Sequence, residues 1–187
     1  MFDHSASADG PLRAPVLDAA VVGRWVAEVA TASGPADDGA QLELITALEH
    51  LKNAAAGLQA TLSVEIDASM RARAAERGVP EARQGQGVAH EIALARCESP
   101  HRGQQHLGLG KVLTTEMPHA RAALRAGWLS EWRATILARE TACLSRADRR
   151  EVDRRVAGDV EALELLGDTS WGTPYAATPT PSTLSPG

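Results

Sequence analysis

A chain of 187 residues is long enough to bury one real core, and with 44% hydrophobic but only 3% aromatic residues that core must be built from Ala, Leu and Val, which favours closely packed helices over sheets. No apolar run approaches the ~18 residues of a bilayer span, and the opening Met1-Phe2-Asp3-His4 is acidic with no apolar signal core behind it, so no membrane association and a cytoplasmic location are expected. The net charge of −5 is uneven: residues 1–70 carry three basic and ten acidic side chains, residues 71–155 sixteen and ten, and residues 156–187 none and four.

Residues 1–14 are rich in Ser, Ala, Asp, Gly and Pro and predict a disordered N-terminus. A first helix is expected from about Val16 to Ala32, with Leu17, Val21, Val26 and Val29 on one side and Trp25 beside them. Ser33-Gly34-Pro35 ends it, and Asp37-Asp38-Gly39 links on. Leu48, Leu51, Ala55, Leu58 and Leu62 then step by three and four, extended by Leu42, Ile45, Ile66 and Met70. That stripe predicts one long helix from about Gln41 to Ala75, ~50 Å in length, whose apolar seam must pack along another helix or a second chain.

Gly78-Val79-Pro80 and Gly85-Gln86-Gly87 break the long helix. A short helix follows from Val88 to Arg96, and Ser99-Pro100, an N-cap followed by proline at the first helical position, opens another reaching about Glu116. Gly103, Gly108 and Gly110 weaken that helix but permit close helix–helix approach. Pro118 opens a further piece, His119 to Ala126, closed by Gly127; Ser130 caps the next, reaching Cys143. Ser145 with Asp148 resembles a capping box and starts a last helix towards Leu166. With no strand pattern in competition, the fold class is all-α: a multi-helix bundle over 15–168, with a Pro/Thr-rich disordered tail over 169–187.

Chemistry-bearing patterns are few. His4, His50, His90, His101, His106 and His119 make no H-E-x-x-H and no zinc spacing with Cys97 or Cys143, which read as buried thiols. No phosphate loop, dinucleotide motif or nucleophile elbow is found, so no cofactor, metal or small-molecule ligand is expected and the chain reads as non-catalytic. Glu140 lies three and four residues from Ile136, Leu137, Cys143 and Leu144, which predicts a carboxylate on the apolar face, held in a structural ion pair with an arginine from a neighbouring helix. The arginine-dominated segment 71–155 suits phosphates, although its ten acids equally suit a salt-bridged, solvated surface. Short helix, Gly127 turn and second helix have helix-turn-helix proportions over about 118–143, with Arg121, Arg125 and Arg133 as candidate contacts to double-stranded DNA. The phrase from Ala123 to Ser130 also resembles a segment of partition-protein-type DNA-binding domains.

Ser99-Pro100-His101-Arg102-Gly103, Leu107-Gly108-Leu109, Met117-Pro118-His119, Gly127-Trp128-Leu129-Ser130-Glu131-Trp132-Arg133-Ala134 and Arg139-Glu140-Thr141-Ala142-Cys143-Leu144-Ser145 together resemble the actinobacterial 13E12 repeat family, over roughly Gln41 to Asp168. The resemblance implies a helical domain that precedes a carboxy-terminal HNH endonuclease domain, whose residues have no counterpart here. In a shifted reading frame Trp171–Gly187 is compatible with A-Y-T-L-D-P-E-S, which resembles the family's continuation, so a frameshift near Asp168–Ser170 is expected to have truncated the protein, the alternative being an authentic disordered Pro/Thr tail. Three functions follow: a non-catalytic DNA-associated domain severed from its nuclease, an HNH endonuclease by family membership but inactive as this chain, or a helical interaction module self-associating through the 41–75 helix.

Overall fold

A computed structural model describes residues 17–159 and Leu163. The expected disordered segments at 1–14 and 169–187 and the frameshift at Asp168–Ser170 lie outside the described residues, whereas the last helix, expected to run towards Leu166, ends at Ala157 with Gly158 as its C-cap. Among the described residues there are seven α-helices, one short 3-10 turn (Glu81–Arg83) and no strand, so the all-α expectation holds. No helix among them is long and apolar enough to cross a membrane. The chain divides into two compact units, Met1–Leu44 and Ile45–Gly187.

In the first unit, α1 (Ala19–Thr31) starts where the Asp18 carboxylate accepts a hydrogen bond from the Val21 amide at 2.8 Å. The Asp37 carboxylate accepts from the Ala40 amide at 2.8 Å and opens α2 (Asp38–Glu76). The apolar side of α1 forms as its periodicity predicts, but it is uncovered: no residue of α1 is buried, and Val22, Trp25, Val26 and Val29 are exposed.

In the second unit, α2 turns an unexpected face inward. Its buried residues are Asn53, Gly57, Ser63, Asp67 and Ala74, whereas Ile45, Leu48, Leu51, Leu62 and Ile66 are exposed. The seam read from the leucine spacing is therefore not core. The reason is interhelical distance. A Cβ on Gly57 would lie 2.9 Å from the Arg125 amide nitrogen, and one on Gly110 would lie 2.8 Å from the Ala60 carbonyl oxygen. Such backbone approach admits only small residues, and specific polar bonds complete it. The Asn53 amide donates to the Gly127 carbonyl at 3.0 Å. Asp67 accepts from Lys111 at 2.7 Å and from Arg71 at 2.9 Å.

The remaining helices are α3 (Val88–Ala95), α4 (Pro100–Thr115), α5 (Pro118–Ala126), α6 (Glu131–Glu140) and α7 (Arg146–Ala157). Ser99, Ser130 and Ser145 cap α4, α6 and α7, each hydroxyl accepting from the amide three residues on. Gly103 packs against Ala89 and Ala93 of α3, as its predicted role requires, while Gly108 meets no neighbour. Leu113, Met117, Leu124, Leu129, Leu137 and Leu163 form the main core, and Val88, Ile92 and Leu107 a second cluster.

α7 closes the hairpin of α5 and α6 with two charges one turn apart. Met117 provides no side-chain cap for α5. Instead the fully buried Asp153 carboxylate accepts from the His119 and Ala120 amides, each at 2.8 Å. Burial pushes this carboxyl up, and the two amides pull it part of the way back. At the other end, Arg149 donates to the carbonyls of Thr141 (3.2 Å) and Ala142 (3.1 Å), just past α6, and pairs with Glu116. An anion at a helix N-terminus and a cation at a C-terminus both complement the helix dipole. Asp153→Ala strips two amides, one of them buried, of their acceptor and should cost about 2–3 kcal/mol in urea unfolding.

Candidate functional site

The hairpin forms with the proportions expected. α5 ends at Gly127 (φ 93°), a left-handed conformation suited to glycine, and the Trp128 amide closes back onto the Ala123 carbonyl at 3.0 Å. Arg121 and Arg125 stand one turn apart on the exposed side of α5, with no acidic partner among the described residues. Arg133 does not join them. It is half-buried and lines an open cleft of about 390 Å³ with Glu49, His50, Asn53 and Trp128. The rings of His50 and Trp128 meet edge to face there, centroids 4.5 Å apart. The second helix of the hairpin offers little to a groove: Glu131 is held by other groups, and Arg139 is paired with its neighbour Glu140 at 3.0 Å. Trp132 is its exposed large hydrophobic side chain, at 60%.

Glu140 corrects a prediction. It is not a buried carboxylate: its side chain is 48% exposed and its partner is the adjacent Arg139. The helix that was expected to reach Cys143 ends at Glu140. Cys143 and Leu144 are then no longer on its face, and the apolar surroundings inferred from their spacing do not exist. The inward stripe is Ala134, Leu137 and Thr141, the threonine hydroxyl donating to the Leu137 carbonyl at 2.7 Å. Both cysteines are exposed rather than buried, and Cys97 sits at φ 54° in the turn after α3. Glu140→Gln should therefore leave the urea midpoint unchanged to within about 0.5 kcal/mol; a larger loss would restore the buried pair.

The densest polar cluster was missed by sequence reasoning. His106 of α4 is 7% exposed, and each of its ring nitrogens faces a carboxylate oxygen at 2.7 Å: Nε2 to Glu98 and Nδ1 to Glu131. Arg96 reaches Glu131 at 3.3 Å and also the Gln59 side chain of α2, while Arg102 lies 3.6 Å from Glu98. The cluster thus joins α2, the α3–α4 turn, α4 and α6. Burial alone would raise Glu98; the His106 hydrogen bond and charge, with Arg96 and Arg102, outweigh it and hold the carboxyl below the usual glutamate range. One sequence signal pointed here. His106 follows Gly103 by three and precedes Gly110 by four, which places it on the close-packed side of α4.

Both ring nitrogens of His106 face carboxylates, and no group of three or more metal-ligating side chains occurs among the described residues. No family model, curated protein or solved structure matches the chain.

Because the Glu98 pKa is depressed in the folded state, its contribution to stability is complete above the ordinary glutamate range and is lost as pH falls through the folded value. The thermal midpoint should drop on acidification below about pH 5, and Glu98→Gln should flatten part of that drop. His106→Ala leaves two carboxylates facing one another and should cost about 2–3 kcal/mol at neutral pH.

Proposed function

We propose that this chain is a non-catalytic, DNA-associated helical domain of the 13E12 type, acting in the cytoplasm and touching the duplex backbone through α5. The observation carrying this reading is the contrast between Arg121 and Arg125 and the acid-paired arginines of α7, a set that leaves out Arg150, bonded to the Thr115 carbonyl. Arg149 is tied to Glu116, while Arg154 and Arg155 are both tied to Glu151, whose pKa falls to about 2. The α5 pair has no such neutralisation among the described residues, and two cations one helical turn apart suit successive phosphates. Support also comes from the family resemblance of the 99–145 block, since that family's helical domain accompanies a nuclease. The contact is to backbone rather than bases, because the α6 side chains that a helix-turn-helix would send into the groove are held by Glu131, Arg139 and Glu140 pairing within the protein.

Fluorescence anisotropy with a short labelled duplex between 50 and 200 mM salt tests this. Binding should weaken with salt, and Arg121→Ala with Arg125→Ala should lower the slope of log K against log salt by about 2. A wild-type chain that leaves the duplex free at low salt, or a double variant with an unaltered slope, would refute the reading.

A further inference from the structure

The outward face of α2 is an unexplained apolar surface of the second unit, and the geometry points to its occupant: a second copy of this chain, with the two α2 helices packed antiparallel. Leu48, Leu51, Ala55, Leu58 and Leu62 follow the three-and-four spacing of a coiled-coil seam. This seam runs opposite the residues that seat the helix on its own body, Asn53, Gly57, Ser63 and Asp67. The two faces do not compete, so a partner can be added without moving any helix of the unit.

The size of the surface fits a chain–chain contact. Ile45, Leu48, Leu51, Leu62 and Ile66 keep between 40% and 62% of their surface exposed. Together these five expose on the order of 450 Å², within the range of the largest and usually functional patch on a monomer. Half-buried Leu58 and the small side chains of Ala47, Ala54, Ala55 and Ala68 flank the stripe. Their contribution brings each copy to roughly the 600 Å² per partner at the lower bound of specific interfaces. Small flanking residues also let two helices approach closely.

Charge decides the direction. Glu65 continues the seam one heptad after Leu58. In a parallel pair it would face Glu65 of the second copy across the seam, a like-charge contact at a buried position. In the antiparallel pair that places Leu51 opposite Leu62 of the second copy, Ala55 meets Leu58, Ile45 lies level with Ala68 and two residues from Ile66, and Glu65 falls beside Leu48 and one turn from Lys52. Lys52 is 71% exposed and, among the described residues, otherwise pairs only with Glu49 on its own helix, so it can turn to Glu65 of the second copy. The antiparallel arrangement therefore keeps the two Glu65 carboxylates apart, packs Leu51 on Leu62 and Ala55 on Leu58, and brings Glu65 within reach of Lys52, in one register.

Two measurements on the full chain test this. Light scattering after size exclusion should give a dimer at tens of micromolar, and Leu51→Glu should return a monomer with unchanged helical circular dichroism. A monomer at every concentration up to the millimolar range would overturn the proposal. The register is read separately, with Cys97 and Cys143, both exposed, replaced by serine. Leu51→Cys chains mixed with Leu62→Cys chains should form a disulfide with each other, while Leu51→Cys alone should not link to itself. Self-linking of Leu51→Cys in preference to the mixed pair would overturn the antiparallel arrangement even if Leu51→Glu failed to fold.

Discussion

Arg149 and Asp153 stand one turn apart on the inward side of α7, and the hairpin of α5 and α6 depends on both. Each supplies what a helix end lacks. Asp153 is the acceptor for amides that begin α5, where Met117 and Pro118 offer no side-chain cap. Arg149 is the donor for carbonyls that follow α6, and it ties them to Glu116 at the end of α4. The signs agree with the dipoles they meet. Short helices of nine and ten residues are marginal alone in water. Their ends are therefore fixed by α7 as much as by their own sequences.

A comparable economy governs α2. It is seated by a glycine, an asparagine, a serine and an aspartate rather than by its leucines, because helix backbones approach closely at Gly57 and Gly110. Close approach replaces bulk with contact density and with a few directed bonds, of which Asn53 to Gly127 and Asp67 to Lys111 are the clearest. The bulky side chains are then left for the outer face. The His106 cluster adds a second polar fastening, through Arg96 and Gln59, so α2 is held along its inward side by matched polar groups.

Local signals were readable and tertiary ones were not. Ser99-Pro100, Gly127, Ser130 and Ser145 mark the helix boundaries in the sequence, because a cap or a left-handed glycine is a property of a few adjacent residues. The long helix was equally legible from its leucine stripe, and observed Asp38–Glu76 extends the expected range only slightly. Which face of that helix turns inward was not legible, since periodicity reports amphipathicity without saying what covers it. Glu140 failed for a related reason: its apolar setting assumed a helix through Cys143, and the chain leaves that helix at Thr141, where Arg149, eight residues on, takes up the carbonyl. His106, Glu98 and Glu131 are brought together only by folding. Of the three arginines assigned to one surface, Arg121 and Arg125 share a helix side and so stayed together, whereas Arg133 belongs to the next helix and was turned into the cleft.

The reach of Asp153 also has a temporal side. It bonds amides 33 and 34 residues earlier in the chain, so a ribosome delivers α5 and α6 well before the group that completes them. Until α7 emerges, the nascent hairpin carries bare amides at one end and bare carbonyls at the other. The hairpin is thus the early-made and late-finished part of the domain, and a peptide cut out to carry α5 and α6 alone would be an unfinished piece rather than a smaller module.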